Sequence, residues 1–134
     1  HVSSLFSQYD KAHSASEKTA LAADICKELI VHAAIEEEIF YPAVKHALKD
    51  DELVPEAKVE HATLKNLIAQ LEDGASADRE MFDARVKVLS EYVKHHVKEE
   101  QNEMFPKARG SKLDMKALGA KLAARKDELL ASWG

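Results

Sequence analysis

Two stretches decide the reading of this chain: His32-Ala-Ala-Ile-Glu36 with Ile39-Phe40-Tyr41-Pro42 after it, and His96-Val-Lys-Glu-Glu100 with Glu103-Met104-Phe105-Pro106 after it. In each, a histidine precedes a glutamate by four positions, and an aromatic-proline pair closes the segment at the same offset. Four-residue spacing on a helix puts both side chains on one face, one turn apart. The first pair continues an apolar stripe of Leu21, Ile25 and Leu29 that resumes at Ile39 or Phe40; the second continues Phe82, Val86, Leu89 and Val93 and gives way to Met104. Each pair therefore interrupts the stripe that should face a core. A third stripe, Ala57, His61, Leu64, Ile68 and Leu71, also carries a histidine at a core position. Burying one ionised carboxylate without a partner costs several kcal/mol. Two of them would take most of a typical folding stability of about 5–15 kcal/mol. No Lys or Arg occupies the inward positions beside either pair. The expected counter-charge is a bound metal, whose binding energy then becomes part of the folding energy.

Working outward, the helix punctuation is clear. Ser14-Ala-Ser-Glu17 reads as a capping box, Pro55 suits a first helical turn, Gly74 and Gly110 suit helix ends, and Ser111-Lys-Leu-Asp114 resembles a second box with Asp in place of Glu. These marks delimit helices at about 2–12, 15–48, 54–72, 77–107 and 112–131. The short connections favour antiparallel neighbours, so the expected fold is all-α: an up-down four-helix bundle over about residues 1–107, with the last helix as an appendage in one domain spanning 1–134.

Composition agrees. With 134 residues, 46% apolar and 32% charged, and only four Gly and three Pro, the chain has the profile of a single helical domain. A net charge of −5 without a basic stripe argues against nucleic acid as a partner. No apolar run approaches the roughly 18–20 residues of a membrane span, and the lone Cys26 cannot form an internal disulfide, so a reducing cytoplasm is the expected location.

Imidazole nitrogen with carboxylate oxygen suits iron, zinc or manganese, and the absence of a nearby thiolate argues against an iron-sulfur cluster. Two carboxylates on facing helices, each able to bridge, favour two metals over one. The order here is His-x-x-x-Glu; neither Glu-x-x-His nor His-Glu-x-x-His occurs at these positions. The segments HAAIEEEIFYP, EHATLKNLI and HHVKEEQNEMFP resemble the successive motifs of the hemerythrin-like, or HHE cation-binding, family, over about residues 1–107. That resemblance implies a four-helix bundle around a carboxylate-bridged, non-haem di-iron centre. It makes Glu36 and Glu100 the bridging ligands and His32, His61 and His96 the terminal ones. It also implies a small diatomic or peroxide as the molecule handled.

Two departures qualify the resemblance. Oxygen-carrying hemerythrins place a second histidine four residues after the one matching His61, where this chain has Lys65. The missing nitrogen implies a more open iron, suited to sensing, redox or peroxide chemistry. The first-helix histidine of the family falls two positions upstream of His1, and the stripe Val2, Leu5, Phe6, Tyr9 extends back to that point; His1 is carried as a candidate ligand.

His13 and His46 lie near helix ends and read as solvated, as do His95, Glu37, Glu38 and Glu99, with an outer-sphere hydrogen bond as the alternative for the three glutamates. Phe40 and Tyr41 read as core aromatics able to shield or tune the metals. On the last helix Leu118, Leu122, Leu129 and Trp133 form a stripe that suits packing on the bundle, a protein partner or a second copy. Three functions follow: a di-iron protein binding O2, NO or peroxide for sensing or handling; a di-iron enzyme of peroxide decomposition or iron-centre repair; and a metal-stabilised interaction domain.

Overall fold

The computed structural model describes residues 2–49, 53–73 and 78–133. Their regular structure is helical throughout, in five helices. Helix α1 is Val2–Lys11. Helix α2 runs without interruption through Ala15–Ile35, a π-helical turn over Glu36–Phe40, and Tyr41–Leu48. Helix α3 is Leu53–Asp73. Helix α4 repeats the plan of α2: Arg79–Glu99, a π-helical turn over Glu100–Met104, and Phe105–Arg109. Helix α5 is Met115–Ala131. The all-α class and the five helices agree with the sequence spacing, while His1 and Gly74 lie outside the described residues.

The two π turns have a common cause. Proline at 42 and 106 has no N–H to give, and its ring would clash with the carbonyl four residues back. Widening the preceding turn relieves both problems. The Tyr41 N–H accordingly bonds to Glu36 O, and the Phe105 N–H to Glu100 O, each five residues back.

Caps fix the helix starts. The Ser14 hydroxyl accepts from the Glu17 N–H at 3.1 Å, as the capping box requires. Asp78 accepts from the N–H groups of Glu80 and Met81 at the head of α4. The second expected box is corrected. Ser111 donates to Ala108 O at 2.6 Å and accepts from the Leu113 N–H, closing the turn after α4. Asp114 is the residue that caps α5, accepting from the Ala117 N–H at 3.0 Å, so the helix begins three residues later than the sequence spacing suggested.

The chain divides into two compact units. The first comprises His1–Ile30 and Ala62–Lys94. Its core is built from α1 to α4 by Phe6, Ile25, Leu29, Ile68, Phe82 and Leu89, among others. The Tyr9 hydroxyl donates to Asp83 at 2.6 Å, and Lys18 reaches the same carboxylate at 3.4 Å. The Tyr9 hydrogen bond holds the Asp83 carboxyl below its ordinary range. Cys26 is buried in this core, and burial pushes its thiol up to about 11.

The second unit comprises Val31–His61 and His95–Gly134. Phe40, Tyr41 and Val44 of α2 pack with Val54 and Ala57 of α3, Met104 and Ala108 of α4, and Leu118 of α5. Helix α5 is therefore a wall of this core, pinned further by Arg125, which donates to Glu38 and Glu128 at 2.9 Å. Trp133, expected on the same stripe, is 44% exposed.

Leu89 is completely buried, so Leu89→Ala leaves a cavity and should lower stability by about 2–5 kcal/mol. Asp114→Ala, removing only a cap, should cost about 1 kcal/mol. Urea unfolding of the two variants checks both the values and their order.

Candidate metal centre

Every strongly supported ligand candidate falls in the second unit. Glu36 starts the π turn of α2, Glu100 starts that of α4, His96 lies one turn before Glu100, and His61 projects from α3. All four are at most 5% exposed, and one donor atom from each lies within 4.8 Å of the others. His61 Nε2 and His96 Nε2 are 3.1 Å apart, and His96 Nε2 is 2.5 Å from Glu100 Oε1. Glu36 Oε1 is 3.1 Å from His32 Nε2 and 3.4 Å from His61 Nε2. Neither contact has hydrogen-bond geometry, so this buried oxygen has no hydrogen-bond partner; the same holds for His61 Nδ1.

The charges show what the cluster lacks. Burial raises the Glu100 carboxyl, and the negative charge of Glu36 adds to that against the pull of His96. Burial acts on Glu36 too, but contacts from His32 and His61 outweigh it and hold that carboxyl far below its ordinary range. His96 loses solvation yet is pushed up to about 9 by Glu100, with Glu60 helping. The contact with Glu36 raises His32. His32 and His96 are thus drawn toward the charged form by the buried carboxylates, at a cost in desolvation.

The residues expected as ligands do not all arrive alike. His61, His96, Glu36 and Glu100 converge. His32 sits at the margin, its side chain 55% exposed with Nε2 turned to Glu36. His1 lies outside the described residues, and Lys65 is exposed. His13 and His46 are exposed, as expected. The His95 side chain is 60% exposed and paired with Glu99 at 3.0 Å; these two and Glu60 form a cluster in which both glutamates are half-buried.

One participant, Glu60, escaped the sequence reading. Glu60 Oε1 receives the Nδ1–H of His96 at 2.8 Å, which fixes the imidazole's tautomer and leaves Nε2 facing Glu100. Glu37, read as solvated with an outer-sphere hydrogen bond as the alternative, is half-buried and stands 3.4 Å from His61 Nδ1. Tyr41, expected as a core aromatic able to shield or tune the metals, is fully buried with its hydroxyl in the cluster: it donates to Glu100 Oε1 at 2.8 Å and lies 3.1 Å from His61 Nε2. Adjacency to His61 was the one signal for Glu60, while Tyr41 is brought round by the π turn, which 3.6-residue periodicity does not describe.

The residues present fit a metal. An orphaned buried carboxylate oxygen, a crowded pair of carboxylates and imidazole nitrogens all aimed at one volume are the donor set of iron, zinc or manganese. His61, His96 and Glu100 would hold one ion, with Glu36 and His32 on its flank. Glu100→Gln cannot ionise, so without metal it should unfold at the wild-type temperature or above it. The wild type should gain about 2.7 kcal/mol at a metal concentration a hundredfold over Kd, and the variant should lose most of that gain. Calorimetry with and without metal decides, and an equal gain for both proteins would remove Glu100 from the ligand set.

Comparison with known proteins bears on the same residues. A protein described as a DNA nickase from Nostoc sp. (strain PCC 7120 / SAG 25.82 / UTEX 2576) is 27% identical over 110 residues, which is 82% of this chain and 31% of that relative's length. The chain thus spans about a third of that relative. No solved structure matches the chain. Residues 2–108 match the hemerythrin HHE cation-binding domain, a span that contains both His-x-x-x-Glu motifs and His61, and the chain belongs to that family.

Proposed function

We propose that this HHE domain holds two iron ions and handles a small neutral molecule, O2, NO or a peroxide, for sensing or redox protection. The carrying observation is the buried cluster of Glu36, His61, His96 and Glu100, whose two carboxylates are offset by histidines and a tyrosine among the described residues. Glu36 and Glu100 would bridge, His61 and His96 would be terminal, and His32 would complete the Glu36 side. When bound, the metal pair supplies electrons and an open coordination position. The chain supplies the rest: Glu60 holds the His96 proton at Nδ1, and Tyr41 offers a hydroxyl proton beside Glu100.

Access favours a neutral molecule. An apolar cavity of about 290 Å³, lined chiefly by Ile35, Phe40, Phe105, Leu118 and Leu122, reaches His32 and Glu36. A diatomic needs little more space than a water, about 30 Å³, and partitions into apolar surroundings more readily than an ion. A smaller pocket of about 20 Å³, lined by Glu56, Glu60, Glu99 and Glu103, reaches His96 and Glu100 and suits an arriving cation. Nicking of DNA stays with the longer relative, because a chain of net charge −5 offers poor complementarity to a phosphate backbone.

Elemental analysis after anaerobic loading with ferrous iron should give two irons per chain, falling in Glu36→Gln and Glu100→Gln. Iron well below two in the wild type, or full iron in both variants, would contradict this ligand set. Gly119 edges the apolar cavity, and a Cβ there meets no atom within 4 Å. Gly119→Phe should therefore leave iron content unchanged and slow the oxidation of the loaded protein by air severalfold, as followed by stopped-flow absorption.

A further inference from the structure

The geometry points to Tyr41 as a metal ligand: its phenolate oxygen joins His61, His96 and Glu100 around one of the two ions. This rests on reading the cluster as a metal centre, and it adds a donor that neither the His-x-x-x-Glu motifs nor the histidine of α3 supplies.

The argument is one of distances. Tyr41 Oη lies 2.8 Å from Glu100 Oε1, 3.1 Å from His61 Nε2 and 3.5 Å from His96 Nε2. The two imidazole nitrogens are 3.1 Å apart, and His96 Nε2 is 2.5 Å from Glu100 Oε1. Metal–nitrogen and metal–oxygen bonds of about 2.0–2.2 Å place neighbouring donors of an octahedral shell about 3 Å apart. Four atoms from three helices therefore already have the mutual spacing of one coordination shell. A tyrosine serving only to satisfy its hydroxyl needs a single acceptor; this one touches three ligand candidates at once while its residue is 0% exposed.

The fold explains why this aromatic and no other is placed so. In a π turn five residues make roughly one turn, so Tyr41 returns to the side of the helix that carries Glu36. Phe105 holds the matching place after Glu100 but has no hydroxyl, and it packs edge-on against Phe40 at 5.4 Å. The internal repeat is thus symmetric in backbone and asymmetric in donor chemistry. On ligation one metal–oxygen bond forms as the phenolic O–H breaks, and its proton leaves to solvent, one per chain. A phenolate is a hard, anionic donor, so it favours the ferric over the ferrous state, which suits redox sensing better than reversible oxygen carriage.

The test is spectroscopic. The protein is loaded anaerobically with ferrous iron, its iron content measured, and the oxidised form studied by visible absorption and resonance Raman. Wild type, Tyr9→Phe and Tyr92→Phe should show a phenolate-to-iron charge-transfer band. Tyr41→Phe should lose it while retaining iron. Ring-deuterated tyrosine should shift the Raman modes in the unsubstituted protein, so the result stands even if Tyr41→Phe folds poorly. Bound iron without phenolate modes, or a band that survives Tyr41→Phe, overturns Tyr41 as a ligand and leaves the metal centre intact. Failure of the wild type to bind iron overturns the centre, and this inference with it.

Discussion

Two carboxylates sharing one apolar interior form the constraint to which the second unit answers. Glu36 and Glu100 are each about 95% removed from solvent, and the low local dielectric magnifies both their repulsion and the cost of their charge. The chain meets this with three histidines and a tyrosine, which offset the charge without neutralising it in a single stable pairing. Such an arrangement is a poor choice for stability alone, since apolar residues of similar volume would pack at least as well. It is a sensible choice if a cation completes it, because metal binding then contributes to folding directly. The unmatched oxygen of Glu36 is where that incompleteness is most visible.

Positioning comes from a local backbone device used twice. Each ligand glutamate begins a π turn, and each π turn ends at an aromatic residue followed by proline. Proline forces the widening, and the widening changes which side chains stand above one another. Turns of this type concentrate at functional sites, since they re-aim side chains at the expense of regular hydrogen bonding. Here one aims Tyr41 at the histidines, and the other leaves Phe105 to pack against Phe40. One repeated motif thus yields two chemically different corners.

The surroundings sort what reaches the centre. On the His32 and Glu36 side the lining apart from Arg109 is mainly aliphatic and aromatic, and α5 contributes Met115, Leu118 and Leu122 to it. On the His96 and Glu100 side the pocket is lined by Glu56, Glu60, Glu99 and Glu103, beside Leu53, Ala57 and Met104. Helix α5, which contributes part of the lining on the His32 and Glu36 side, lies beyond the residues matched to the family. Its burial of Leu118 and the link from Arg125 to Glu38 bind it to the same unit as the ligands.

Periodicity and punctuation in the sequence determined the five helices to within about three residues, because stripes of Leu, Ile, Val and Phe and caps such as Ser14 act locally and survive into the folded state. The sequence also determined that polar groups would enter the core at 36, 61, 96 and 100, since they interrupt stripes that have no other face to bury. Tertiary structure alone decided the rest. Whether Ser111 or Asp114 caps α5 depended on which hydroxyl the preceding turn consumed. That His32 stays half-exposed while His96 is enclosed reflects what packs over each, and Glu60 earns its contact with His96 from a different helix, across 36 positions of sequence. Tyr41 reaches the histidines only because the helix widens at Pro42, and that one-residue change in hydrogen bonding rotates everything after it in a way that no fixed period expresses.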